Sequence, residues 1–180
     1  SLKDLKIIES IVYAESGVML GKLVKECIKR NLSGIESLVG VPGTLGGALV
    51  MNAGAFGGEI SNCLINVSSM NMFGEIKKYN KNDINFSYRS STFPKNEIII
   101  SAKFKLIKSD KDTVNLKKLD ASGGRKATQP LKFRSAGSVF KNPTTGHAAG
   151  YYIDQAGLKG TKVGDAEISP IHANFFVNHG

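Results

Sequence analysis

Residues 40–59 read GVPGTLGGALVMNAGAFGGE, with glycine at 40, 43, 46, 47, 54, 57 and 58 set into an otherwise apolar run. Glycine inside a regular element costs roughly 0.5–1 kcal/mol relative to alanine, so such a cluster needs a compensating close approach. Pro42 fixes the chain just before Gly43. A turn entering a short helix here would present backbone N–H groups outward from Gly40, Gly43, Gly46 and Gly47, and such an array binds anions, pyrophosphate included. The spacing is neither GxxxxGK(S/T) nor GxGxxG, so neither a P-loop nor a Rossmann fingerprint is present. Tight packing and a ligand cradle both remain open on these residues alone.

Outward from this stretch, residues 6–15, KIIESIVYAE, read as two short strands around Glu9 and Ser10. Val18, Leu20, Leu23, Val24, Cys27, Ile28 and Leu32 then recur at spacings of three and four, which predicts a helix capped by Ser16 and ended by Gly34. On the other side, residues 65–80 read as a hairpin turning at Phe73, Gly74 and Glu75. Residues 96–108, NEIIISAKFKLIK, alternate as a half-buried strand, with Ile98, Ile100, Ala102, Phe104 and Leu106 on one face.

The character changes near Ser109, where a polar, charged and partly helical segment begins, broken by Gly123 and Gly124. This places a domain boundary there, giving domains 1–109 and 110–180. The second part holds a turn-rich stretch, a short helix over about residues 148–156 stopped by Gly157, and a final extended HANFFVN at 172–178. Paired strands with separated helices, and no regular βαβ alternation, make the fold class α+β.

The chain has 180 residues and 41% hydrophobic content, enough for a buried core. No apolar run is long enough to span a bilayer and no signal core opens the chain, so no membrane association is expected. Cys27 and Cys63 belong to no CxxC or Cys/His cluster, and the three histidines are widely spaced, so neither a disulfide frame nor a metal site is expected. Cys27 reads as core packing, and a reducing cytoplasm fits best. Formal charge is +9, which favours anionic partners without choosing among them. The densest basic segment, 108–134, carries only Phe133 as an aromatic, so no nucleic-acid partner is expected.

Five stretches in order carry a resemblance: GIESLVGVPGTLGGALVMNAGAFGGE at 34–59, FSYRSSTF at 86–93, SAGSVFKNP at 135–143, AGYYIDQAGLKG at 149–160, and HANFFVN. Together they resemble the UDP-N-acetylenolpyruvoylglucosamine reductase family, and the short link from Pro143 to Ala148 is similar to its second type. The resemblance implies the second lobe of a two-lobed FAD-binding domain of the vanillyl-alcohol-oxidase/p-cresol-methylhydroxylase type, followed by an α+β substrate-binding domain. It implies FAD as cofactor, NADPH as co-substrate, and reduction of UDP-N-acetylglucosamine enolpyruvate to UDP-N-acetylmuramate by a cytoplasmic monomer. Flavin contacts would come from Pro42, Gly43, Thr44, Gly46, Gly47, Asn52, Ala53, Gly54 and Ala55. Arg89 matches the family's catalytic arginine and Ser138 its proton donor. Tyr88, Arg125, Gln129, Asn142, Lys159 and His172 resemble substrate-binding positions, while Asp154 reads as helix support.

Two pieces of the family pattern are not found in this sequence: an N-terminal GxGSN loop and a glutamate in a C-terminal stretch resembling EPEV. A piece of a longer protein, a natural fragment and a decayed copy each fit that observation, and the intact motifs favour the first. Arg134 stands where the family often has proline, and Gly123 and Gly124 bear on the placement of Arg125. A non-catalytic nucleotide-sugar-binding remnant is the alternative reading.

Overall fold

In the computed structural model, which describes residues 2–180, the strands Leu5–Ile8 and Ile11–Glu15 fold back on each other about Glu9 and Ser10. They form one side of a five-stranded antiparallel sheet. Its order is Leu5–Ile8, Ile11–Glu15, Glu97–Lys105, Leu64–Asn71, Ile76–Asn80. Cross-strand partners share a face, so Val12 opposite Phe104, and Ala14 opposite Ala102 and then Val67, make one continuous apolar surface. Helix α1, Leu20–Lys29, lays Leu20, Leu23, Val24 and Cys27 into the same core. Burial pushes the Cys27 thiol up to about 12, in keeping with its reading as packing.

The hairpin is as expected: Asn71 Oδ1 accepts the N–H groups of Phe73 and Glu75, and Gly74 takes φ 85°. Other expectations need correction. Ser16 does not cap α1. The N-cap is Met19, and the carbonyl of Ser16 is turned instead to Gly46. The helix ends before Gly34, at Lys29, because Asn31 takes the left-handed conformation (φ 54°) that glycine was expected to supply. In the strand Glu97–Lys105 the ladder shifts between Ile99 and Ser101, an irregularity at Ile100. The slip changes the phase, so Ile99 is buried and Ile98 exposed, while Ala102, Phe104 and Leu106 keep the expected inward face.

Helix α2, Leu45–Val50, and helix α3, Lys111–Thr128, complete the helices that precede the second sheet. α3 runs unbroken through Gly123 and Gly124, against the expected interruption. Backbone contacts divide the chain into one unit ending at Ser122 and another over Gly123–Gly180. The second unit is built on a four-stranded antiparallel sheet, ordered Arg134–Ser138, Phe175–Asn178, Ala166–Ile168, Lys162–Val163, with helix α4 at Ala149–Gln155. Gly157 (φ 69°) follows α4, as the sequence predicts.

One carboxylate ties three strands of the first sheet together. Glu97, whose side chain is 6% exposed, accepts hydrogen bonds from Ser69 Oγ and Tyr79 Oη, and Lys77 Nζ lies 3.7 Å away. The Ser69 bond is the main cause that holds the Glu97 carboxyl below its ordinary range, against the opposing effect of burial. Because the folded pKa is depressed, this stabilisation is complete above the ordinary pKa of 4.5 and is lost as pH falls through the lower folded value. Glu97→Gln is therefore expected to lower Tm at neutral pH, with the gap to the unsubstituted protein closing in acid. Thermal melts followed from about pH 7 down to about pH 3 check this, and a gap that stays constant contradicts it.

Candidate functional site

The glycine-rich turn is zipped to the segment that leads into α1. Leu45 donates its N–H to Val18 O at 2.8 Å, Gly46 donates to Ser16 O at 2.9 Å, and Leu20 donates to Gly43 O at 3.0 Å. A Cβ on Gly46 would lie 3.1 Å from Ser16 Cβ, and one on Gly58 would strike Ser37 Oγ at 2.2 Å. These glycines serve close approach of protein to protein. The expectation that Gly46 turns its N–H outward is thereby corrected, since that group is consumed inside the fold. Gly43 and Gly47 differ. A Cβ on Gly43 (φ 108°) would meet nothing within 4 Å, and one on Gly47 only Thr44 Oγ1 at 3.8 Å. Packing and an open floor thus both occur, at different glycines of one stretch.

Beyond α2 the chain makes a two-strand ribbon in which Gly54 pairs with Glu59 and Ala55 with Gly58. Asn52, fully buried with φ 42°, donates Nδ2 to Glu59 Oε2 at 2.7 Å and to Ser87 O at 3.1 Å. Its Oδ1 is buried with no hydrogen-bond partner among the described residues. Ser87 opens a tight turn between the strands Phe86–Ser87 and Ser90–Ser91. Arg89 (φ 52°) lies in that turn, and Nη2 donates to Gly54 O at 2.6 Å. Its guanidinium carbon lies 4.9 Å from the centre of the half-exposed Tyr88 ring. Ser91 Oγ ties the same turn to Val50 O at the end of α2, at 2.7 Å. Tyr88, Arg89, Asn52 and Gly54 are therefore brought together, and a fixed, half-buried cation stands on the backbone of the glycine stretch.

In the second unit, Ser138 ends the strand Arg134–Ser138 opposite Phe175, exposed, next to Gly137 at φ 86°. The chain immediately after it is clamped by Asn174, which is 3% exposed. Asn174 Oδ1 accepts from Phe140 N–H at 2.9 Å, Nδ2 donates to Phe140 O at 2.8 Å, and the backbone carbonyl accepts from Val139 N–H at 2.9 Å. Asn142 Oδ1 accepts from Ala149 N–H at 3.0 Å, where α4 begins. His172 lies beside α4, with Cε1 3.4 Å from where a Cβ on Gly150 would sit. Its Nδ1 accepts from Asn174 N–H at 3.2 Å. Burial holds its pKa below the ordinary 6.5, which suits a neutral ring whose other nitrogen donates. Lys159 Nζ pairs with Asp154 Oδ2 at 2.6 Å, so Asp154 anchors Lys159 near the end of α4. Arg125 Nη1 donates to Gln129 Oε1 at 3.1 Å.

Two residues that matter to this geometry escaped the sequence reading. Asn174 lies within HANFFVN, but its partner is 34 positions away. Glu59 closes the glycine stretch and carries no signal beyond its place after Gly58. Among the described residues there is no group of His, Cys, Asp and Glu that could hold a metal ion, and no helix is long and apolar enough to cross a membrane.

Two family models match the chain: the FAD binding domain over residues 2–80, and the C-terminal domain of UDP-N-acetylenolpyruvoylglucosamine reductase over 129–180. A UDP-N-acetylenolpyruvoylglucosamine reductase of Rickettsia peacockii is 37% identical over 180 residues, which is all of this chain and 61% of that protein. One from Syntrophus aciditrophicus is 40% identical over 169 residues, covering 94% of this chain and 54% of the relative. The crystal structure of the reductase from Thermus caldophilus superposes with a TM-score of 0.87 at 40% identity, over 93% of this chain and 62% of that one. The chain spans about three fifths of the length of the relatives it matches first.

The Asn174 clamp makes a direct test of the local architecture. Removing a side chain that satisfies two backbone groups is expected to cost about 2 kcal/mol. Asn174→Ala should lower the urea midpoint of the second unit accordingly, and an unchanged midpoint would show that Phe140 is held by other means.

Proposed function

The chain belongs to the UDP-N-acetylenolpyruvoylglucosamine reductase family, and on that premise we propose that it carries part of the flavin site and substrate site of such a reductase. The first unit has the FAD-binding fold of the vanillyl-alcohol-oxidase/p-cresol-methylhydroxylase type, within an α+β architecture. The proposed reaction is reduction of UDP-N-acetylglucosamine enolpyruvate to UDP-N-acetylmuramate, with NADPH as donor, in peptidoglycan precursor and cell-wall synthesis. A cytoplasmic monomer is the proposed setting.

The residues present fit the dinucleotide. Gly43 and Gly47 offer backbone without side-chain bulk, and the buried Oδ1 of Asn52 is an acceptor that a bound group can satisfy. Residues 42–44, 47 and 52–55 would hold FAD, with Gly46 seating that stretch against Ser16. When bound, the flavin supplies the hydride chemistry. The protein must then stabilise negative charge that develops on the substrate beside its carboxylate, and afterwards deliver a proton to the adjacent carbon.

Arg89 meets the first need. Its guanidinium presents a planar fork of donors to a developing carboxylate charge, and the bond to Gly54 O restrains where that fork stands. That bond is the observation on which the reading rests, because it ties the candidate catalytic cation to the floor of the candidate flavin site. Tyr88, stacked beside the guanidinium, is placed to contact substrate. Ser138 meets the second need. A hydroxyl is a weak acid, so it protonates only a strongly basic carbon, as an enolate supplies, and only when its orientation is fixed. The turn at Gly137 and the Asn174 clamp limit how the Ser138 segment can move. Arg125, Lys159, Gln129, Asn142 and His172 supply cations and donors for the diphosphate and nucleoside, with His172 acting as a neutral donor.

Ser138→Ala in the FAD-loaded protein is expected to leave flavin reduction by NADPH intact and to abolish turnover of the enolpyruvyl substrate. Stopped-flow absorbance separates the two half-reactions, and equal loss of both contradicts the assignment. Binding of the UDP-sugar by protein that takes up no flavin would instead support the non-catalytic alternative.

A further inference from the structure

We infer that Glu59 is a positioning residue for Arg89, acting through the side-chain amide of Asn52. The inference rests on the reading of Arg89 as the cation that stabilises the substrate's developing charge. Glu59 pairs with Gly54 across the ribbon, and its Oε2 accepts from Asn52 Nδ2 at 2.7 Å. A carboxylate can only accept, so it dictates that the NH2 end of the Asn52 amide faces it. The same NH2 then donates to Ser87 O, 35 positions away, at the entry to the turn that carries Tyr88 and Arg89.

A second contact points the same way. A Cβ built on Gly54 would lie 3.0 Å from Glu59 Cγ and 3.2 Å from Arg89 Nη1, so the carboxylate's stem and the guanidinium flank one Cα. The carbonyl of that residue is the one that receives Arg89 Nη2. With Glu59 absent, one of the two acceptors that fix the Asn52 side chain is gone, and the remaining bond from Nδ2 to Ser87 O, which anchors the turn, is held less tightly. Arg89 already holds a left-handed φ of 52°, a backbone state that persists only where its surroundings enforce it.

The test is a cycle of Glu59→Ala, Glu59→Gln and Arg89→Met in the FAD-loaded protein, with flavin content and far-UV circular dichroism recorded for each. A displacement on the order of 1 Å at a reacting group costs up to about a hundredfold in rate. Glu59→Ala is therefore expected to lower kcat about ten- to hundredfold with KM for the enolpyruvyl substrate little changed. Glu59→Gln, whose carbonyl oxygen can still accept from Asn52, should restore most of that loss. In the Arg89→Met background, Glu59→Ala should cost nothing further. NMR supplies a readout apart from turnover: the Arg89 side-chain protons lie near the Tyr88 ring, and their ring-current shift should collapse in Glu59→Ala and return in Glu59→Gln. An unmoved Arg89 shift in Glu59→Ala, or a loss of kcat equally large with and without Arg89, overturns the inference. Full turnover in Arg89→Met refutes the proposed function instead, and the NMR shift then decides the role of Glu59 by itself.

Discussion

At Gly46 the backbone of the glycine-rich turn lies so close to Ser16 that an added methyl group would stand 3.1 Å from the Ser16 Cβ. The bonds from Gly46 N–H to Ser16 O and from Leu45 N–H to Val18 O stitch this contact. From it the rest of the first site follows in order. It seats α2 against the sheet, with Leu45, Ala48 and Leu49 buried in the core. The end of α2 passes its position on through the bonds Ala53 N–H to Ala48 O and Ile60 N–H to Ala53 O. The ribbon so fixed presents the Gly54 carbonyl, and that carbonyl receives Arg89.

Backbone strain concentrates along this same path. Asn52, Phe56 and Arg89 all take positive φ without being glycine, a conformation that costs on the order of 1–3 kcal/mol where nothing compensates. Each is held by a tight turn, and Asn52 and Arg89 also by hydrogen bonds to other parts of the chain. The strain is therefore offset locally by the contacts that define the site, and a guanidinium mounted this way loses little further freedom when an anionic group arrives.

The second unit solves a similar problem without a glycine floor. A loop following Ser138 must be held although most of its side chains are exposed, and one buried asparagine, Asn174, satisfies both backbone groups of Phe140. The bond from Asn174 N–H to His172 Nδ1 links that clamp to the histidine proposed to face substrate. Polar side chains that meet backbone groups do here what apolar packing does in the first unit.

Local chemistry along the chain determined a good deal by itself. The period of three to four over residues 18–28 marks α1, the alternation at Ala102, Phe104 and Leu106 marks an inward strand face, and the turn at Phe73, Gly74 and Glu75 marks the hairpin. Each is decided by residues within one turn or one strand of each other, so spacing suffices. Tertiary structure alone decided the slip at Ile100, the ending of α1 by Asn31, and the continuity of α3 through two glycines. It alone divided the glycines into those that admit another backbone and those that face open space. It alone joined Asn52 to Ser87 and Asn174 to Phe140, across separations of 35 and 34 positions. Such bonds depend on where folding brings distant segments, and one-dimensional spacing carries no record of which carbonyl will stand opposite a given amide.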